Sequence, residues 1–248
     1  MFWLAVEREP VAAGDLVADL VPPPTVTAVV AALHALRHRF LVERTETGFT
    51  LQNVVLEYFT ATLIDRVCAE IVASTPDLLN RYALLKASAK NYVRDAQRNL
   101  IQGPIADRCL RQLGPFGLIA RFHRILAQLR STRLQQAGYA GGNVLNLMAQ
   151  ASIDLRGQDF SQLVLWHADL SSVNAQAVDF HQSDLSRCAF ADKFAIISSL
   201  AFSPDGLRIA AATMGEEIRM WQVGDGTPLP NWVAHTGWVR AVCFSSDG

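Results

Sequence analysis

The chain has 248 residues, half of them apolar and 18% charged, with a net charge of −1; this is the composition of a globular chain of one or two domains and excludes a disordered or collagen-like one. Its four cysteines, Cys68, Cys109, Cys188 and Cys243, are widely spaced without a CxxC pair, which speaks against a zinc site and for a reducing compartment. No basic stretch precedes an apolar core at MFWLAVEREP, and no run of 18 apolar residues occurs, so neither a signal peptide nor a membrane span is expected and the chain reads as cytoplasmic.

Residues 1–72 alternate helix and breaker. FWLAVERE ends at Pro10, and a short helix from Asp15 to Leu20 stops at Pro22, Pro23 and Pro24. Thr25 or Thr27 caps a third helix with the stripe Val29, Val30, Leu33 and Leu36. FLVER and FTLQ flank a Gly-containing turn as two strands, and Asn53 caps a last helix bearing Val54, Val55, Tyr58, Phe59, Leu63 and Val67. Three helices, a hairpin and a further helix form a winged-helix pattern. A winged helix reads DNA through its third helix. Here His34, Arg37, His38 and Arg39 gather at the C-terminal end of that helix, in an acidic segment, so DNA reading is not favoured. His34 and His38 stand four apart, without the Glu of an HExxH motif, and read as a solvated face.

Residues 73–150 are expected to be helical throughout as far as residue 137, with Leu84, Leu85, Tyr92 and Leu100 at helical spacing and breaks at Gly103-Pro104 and Gly114-Pro115. The cluster Gly138, Gly141 and Gly142 lacks a Lys and precedes NVLNLMAQ, a turn leading into a capping helix. Charge is uneven: 5 Lys/Arg stand against 8 Asp/Glu in 1–66, 11 against 4 in 67–150, and 6 against 11 in 151–248. Either the basic block pairs with its acidic neighbours or is a solvated helical face, or it offers phosphate contacts to a nucleic acid.

Residues 151–193 change period. In steps of five, the third place holds Leu155, Phe160, Leu165, Leu170, Ala175, Phe180, Leu185 and Phe190, and the place before it holds Asp154, Asp159, Asp169, Asn174, Asp179 and Asp184. A period of five fits neither a helix nor a strand and points to a solenoid turning a corner at each unit. The pattern resembles the pentapeptide-repeat family, A(D/N)LXX. The resemblance implies a right-handed β-helix with four units per coil, hence two coils, with Leu155, Phe160, Leu165, Leu170, Phe180, Leu185 and Phe190 as its core. The Asp column is expected to be solvated.

From Phe194 to the last residue, 248, SLAFSPDG at 199–206 recurs as AVCFSSDG at 241–248, with RIAAAT, EIRMWQV and PNWVAH between. Four short alternating runs in that length resemble one WD-repeat blade and the start of a second. Phe202, Trp221, His235 and Phe244 are its expected core. Gln222 replaces the family's Asp after the Trp, and Met214 and Gly215 stand where its b–c turn offers an Asp, so the hydrogen-bonded network of the family is incomplete.

REPV, the Pro-rich break, RHRFLVER and FTLQNVVLEYF also resemble the winged-helix domain that follows the nucleotide-binding domain of bacterial STAND-type (NB-ARC/NACHT-like) NTPases continuing into WD repeats. In that family a Met-His-Asp motif touches bound ADP. Leu51, Gln52 and Asn53 stand in its place, and Gln52 lacks the charge of a protonated His. Gln52 and Asn53 are the candidate cofactor contacts, for a nucleotide held by an NTPase; this chain has no GxxxxGK[ST], so no cofactor of its own is expected. No GxSxG, HExxH or Cys/His cluster suggests catalysis.

The expectation is therefore an α+β multidomain chain: a winged helix (1–72), a helical connector (73–150), a two-coil pentapeptide-repeat β-helix (151–193) and an incomplete β-propeller (194–248). It reads as a fragment of a STAND-type switch and a non-enzymatic, protein-binding scaffold. Its partners are a protein or the absent NTPase and propeller blades, with no membrane and with nucleic acid disfavoured. A nucleic-acid-binding regulator using the winged helix and the basic block is the alternative, and a truncated gene product without function the third reading.

Overall fold

The computed structural model describes residues 1–131, 138–171, 173, 175–190, 196–214 and 217–246. The 193/194 boundary, Asn174, Phe194 and Gly215 named above lie outside the described residues. The chain mixes helices with antiparallel sheets and divides into two compact units, Met1–Asp169 with Val178–Ala189, and Leu170–Ala177 with Phe190–Gly248.

The first unit opens with α1 (Phe2–Glu7), which buries Trp3, Leu4, Ala5 and Val6, and α2 (Ala13–Asp19). α3 (Val26–His38) starts where Thr25 accepts a hydrogen bond from the Ala28 amide at 3.3 Å. β1 (Val42–Arg44) and β2 (Phe49–Leu51) pair antiparallel, Val42 facing Leu51. Val11 joins this hairpin through two backbone bonds with Phe49, of 2.9 and 3.0 Å. The approach is so close that a Cβ on Gly48 would lie 2.3 Å from the Val11 carbonyl oxygen, which only glycine permits.

α4 (Asn53–Ala73) ends at Ser74, whose φ of 58° closes the helix in the left-handed region. The Glu70 carboxylate then accepts from the amides of Asp77, Leu78 and Leu79 at 2.9–3.0 Å and so caps the short α5 (Leu78–Arg81). The expected helix through Leu84 and Leu85 does not form. Residues 82–90 are irregular although both leucines are buried. Side-chain amides from distant helices replace the helical ladder: Leu84 N–H donates to Asn143 Oδ1 at 2.8 Å and Lys86 N–H to Gln97 Oε1 at 2.9 Å. Tyr92 and Leu100 are 62% and 52% exposed, not on a buried stripe.

α6 (Asn91–Gln97) runs through a π-helical turn, Arg98–Gln102, into α7 (Gly103–Ser131), so Gly103-Pro104 does not break the chain. Pro104 lacks an N–H for the i→i−4 ladder, and the wider π-helical turn stands immediately before it. The break falls at Gly114, with φ 68° and ψ 170°, ahead of Pro115.

α8 (Ala140–Gln150) is buried from Ala140 to Met148 and lies against the repeat: a Cβ on Gly141 or Gly142 would come within 2.4 Å of Val164 O or 2.1 Å of Trp166 O. In the repeat, parallel bridges join Asp159 to Asp179, Val164 to Asp184 and Asp169 to Ala189. The chain thus returns over itself every twenty residues, four units later. Gly157, Gln162, His167, Ala177 and Gln182, at the fifth place of their units, and Ser152 just before them all have φ of 55–70°, so left-handed corners recur at steps of five. The Asp column explains the corners. Asp154, Asp159, Asp179 and Asp184 each accept from the amide two residues on, at 2.8–3.0 Å. These are Asx turns rather than idle solvated carboxylates.

In the second unit β3 (Ile197–Phe202), β4 (Arg208–Thr213), β5 (Glu217–Gln222) and β6 (Pro228–Val233) form an antiparallel meander in that order. The β3–β4 turn is held by Ser203, whose hydroxyl donates to Asp205 Oδ1 at 2.5 Å and accepts from Arg208 N–H at 2.9 Å. Val239, 3% exposed, donates its amide to Thr213 O at 3.2 Å and accepts from Ser198 Oγ at 2.5 Å. From the second copy of the repeated segment, Val242 N–H donates to Ser199 Oγ of the first at 3.3 Å.

Candidate functional site

Gln52 lines a cleft of about 540 Å³ together with Arg37, His38, Phe40, Val42, Glu43 and Arg44. α3 delivers Arg37 and His38 from its last turn, β1 delivers Glu43 and Arg44, and Gln52 stands at the N-cap of α4. Phe40, with φ 57° and 79% exposed, forms the corner between them. Asn53 was expected to cap α4 but is its exposed first residue. Gln52 holds the cap position instead, and its side chain makes no capping bond. Two guanidinium groups and an imidazole face one carboxylate here, and the positive end of the α4 dipole adds to them. The cleft suits an anion, and the charge that Gln52 lacks stands on its neighbours. The sequence placed Arg37 and His38 together on one helix end; it gave no signal that Arg44 and Gln52 would join them.

The basic block is joined to its acidic neighbours. Lys86 Nζ lies 2.7 Å from Glu7 Oε1 and 2.8 Å from Asp19 Oδ2, all three side chains being largely buried. Burial alone would lower the Lys86 ammonium, but Glu7 and Asp19 raise it above its ordinary value. Lys90 reaches Glu9 at 3.0 Å, Arg108 pairs with Asp65, Arg94 and Arg98 both turn to buried Asp169, and Arg130 lies 3.1 Å from Asp159. Of the readings open to the sequence, pairing between segments accounts for these cations.

Beside the Lys86 cluster, Tyr139 donates its hydroxyl to Asp19 O at 2.7 Å and stacks on His167, with centroids 5.7 Å apart and planes within 8°. His167 is 4% exposed, and neither ring nitrogen has a hydrogen-bond partner among the described residues. Burial pushes its pKa down to about 4. Neither the Lys86 cluster nor His167 was foreseen: the partners lie 79 and 67 residues from Lys86 in sequence.

The expected repeat core divides. Leu155, Phe160 and Leu165 are 5, 0 and 0% exposed, whereas Leu170, Phe180 and Leu185 are half-buried. Phe190 is 57% exposed and is not a core residue in this chain. Of these, Leu165 lies directly against α8, its Cδ2 3.0 Å from where a Cβ on Gly141 would stand. The blade residues differ likewise. Trp221 and Phe244 are half-buried, His235 is exposed and Phe202 is 61% exposed. The buried centre of the sheet is instead Ala210, Ala211, Ala212 and Thr213 on β4. Phe202 and His235 fail as core because, among the described residues, nothing packs over them.

Among the described residues no helix is long and apolar enough to cross a membrane, and no group of His, Cys, Asp and Glu is arranged to hold a metal ion.

Residues 152–187 match the pentapeptide repeats, in eight copies, and residues 190–222 match the WD domain, G-beta repeat. The chain is 38% identical over 277 aligned residues to an uncharacterized WD repeat-containing protein of Nostoc sp., alr2800. That alignment takes in 98% of this chain and 22% of the relative. A second Nostoc WD repeat-containing protein, alr3466, is 30% identical over 119 residues, covering 48% of this chain and 8% of itself. A probable serine/threonine-protein kinase, PkwA of Thermomonospora curvata, is 36% identical over 73 residues, covering 29% of this chain and 10% of itself. The chain therefore carries pentapeptide repeats and a WD repeat, and it spans about a fifth of the length of the relative it matches throughout.

Proposed function

We propose that this chain is a non-enzymatic, protein-interaction scaffold of the cytoplasm, and a part of a STAND-type signal-transduction switch. In this reading α1–α4 with the hairpin are a winged helix, α5–α8 are the connector, the pentapeptides are a short β-helix, and β3–β6 are the first blade of a β-propeller. The propeller binds a protein partner. The helices and the repeat carry that binding to an NTPase, and the winged helix holds the NTPase at rest.

The observation that carries the reading is the match of nearly the whole chain, helices, pentapeptides and blade in one alignment, to a WD repeat-containing protein of which it is 22%. The Gln52 cleft supports it. Arg37, His38 and Arg44 supply the positive charge that a nucleotide phosphate needs and that Gln52 does not carry. Such a switch works through a coupling free energy between sensor and nucleotide site, so each must alter the other's affinity.

The test tags the protein at its own locus, recovers it from the native cell, and measures bound adenine nucleotide and DNA binding at low salt. The expected result is retained ADP, with the Arg37→Ala/Arg44→Ala double variant retaining it about tenfold less tightly, the loss of roughly 1.4 kcal/mol of charge-assisted hydrogen bonding. Absence of nucleotide together with salt-sensitive DNA binding would overturn the reading in favour of a nucleic-acid-binding regulator.

A further inference from the structure

α4 and α7 pack side by side, and each contributes one buried cysteine to the seam. Cys68 is 2% exposed and Cys109 is 1% exposed. The Cys68 Sγ lies 3.9 Å from the carbonyl oxygen of Ile105, one helical turn before Cys109 on α7, which sets it against the turn that ends at Cys109. Both are free thiols. At the outer edge of the same seam Asp65, one turn before Cys68, pairs with Arg108, the residue next to Cys109.

The two sulfurs are not equivalent. A cleft of about 350 Å³, lined by Asp65, Cys68, Ala69, Arg108 and Gln112, leads to Cys68 and not to Cys109. The neighbouring Cys109 thiol, and then the Arg108 guanidinium, hold the Cys68 thiol below its ordinary value against the effect of burial, while the Cys109 thiol is raised by its Cys68 neighbour and by burial. A cysteine in the wall of a cleft, beside a cation and backed by a second thiol, is the arrangement in which one cysteine is oxidised and its neighbour resolves it. The other two cysteines lack such a partner: Cys188 donates to Leu165 O at 3.1 Å, and Cys243 is exposed.

We propose that Cys68 and Cys109 form a peroxide-responsive dithiol that closes to a disulfide fastening α4 to α7. In the first step the Cys68 thiolate attacks one oxygen of a hydroperoxide. The S–O bond forms as the O–O bond breaks, sulfur gives up two electrons, and the departing oxygen leaves as water or an alcohol with the proton lost from the thiol. In the second step the Cys109 sulfur attacks Cys68; the S–S bond forms, the S–O bond breaks, and the hydroxide leaves as water with the Cys109 proton. A dithiol reductant returns the disulfide to two thiols by exchange and is itself oxidised to a disulfide.

The test treats the intact folded chain with hydrogen peroxide at neutral pH, blocks remaining thiols with N-ethylmaleimide, and maps the peptides by mass spectrometry. The expected result is a Cys68–Cys109 cross-linked peptide pair about 2 Da lighter than the two reduced peptides, reversible with dithiothreitol. A rise in Tm of roughly 5–10 °C should accompany it. The Cys109→Ser variant should give no cross-link and leave a dimedone-trappable sulfenic acid on Cys68. If that variant does not fold, the wild-type peptide map decides alone. Oxidation confined to Cys243, a cross-link that appears only in urea, or a folded wild-type chain in which Cys68 and Cys109 both stay alkylatable would each overturn the proposal.

Discussion

Two phenylalanines show how differently the two units treat a repeated apolar position. Phe160, in the unit that holds most of the helices, is fully buried and stacks on Phe180 at 6.2 Å. Phe202, on β3 of the four-stranded sheet, is 61% exposed. Both belong to sequence repeats, and a repeat buries its apolar residues only against a neighbour. In the first unit Phe160 has Phe180 of the next coil beside it, and α8, through Gly141 and Gly142, brings its backbone up to Val164, Leu165 and Trp166. The four-stranded sheet has its buried centre on the small side chains of β4, while Leu200, Phe202 and Trp232 stand at the surface.

That contrast is open to direct measurement by urea unfolding. Phe160→Ala should cost about 3–5 kcal/mol, whereas Phe202→Ala should stay within about 1 kcal/mol; similar losses would erase the distinction. The ion pairs repeat the contrast on a smaller scale. Lys86→Met leaves Glu7 and Asp19 buried without their cation and should cost about 3 kcal/mol. Lys90→Met, whose side chain is 65% exposed beside Glu9, should change stability by less than about 1 kcal/mol.

A further contrast concerns pH. His167 is depressed from 6.5 to about 4, so the fold favours its neutral form. Its contribution is complete above pH 6.5 and is lost as pH falls from 6.5 towards 4, on the order of 2–3 kcal/mol in all. The groups facing it are Asp19, which opposes the depression, and Lys86 and Arg187, which add to it. In equilibrium unfolding between pH 7 and 4, His167→Phe should lose less stability than the wild type; identical slopes would remove His167 from the account.

Much of this was legible where a residue's role is local. The fivefold period, the Thr25 cap and the kink at Gly114-Pro115 all depend on residues within one turn of each other, and sequence reports such relations directly. The stretch 82–90 was misread because Leu84 and Leu85 sit at helical spacing, while their backbone is satisfied by Asn143 and Gln97 from elsewhere in the chain. The Asp column was noticed, but its work as an Asx-turn acceptor became visible only with the corners. For the candidate cleft, Gln52 was picked out by resemblance. Its cationic neighbours come from two other elements, and no spacing encodes that meeting. The Cys68–Cys109 contact escaped for the same reason: 41 residues separate two thiols that one helix–helix seam brings together.

The twenty-residue return of the repeat makes length and direction separate quantities. Inserting a single pentapeptide would swing the outgoing chain through about a quarter of a revolution, as tightening a square nut by one flat does. Inserting four would restore the bearing and displace it by only about one strand spacing, roughly 4.8 Å. Copy number in such a segment is therefore an angular setting first and a linear one second, and gain or loss of units in relatives should be tolerated most readily in multiples of four.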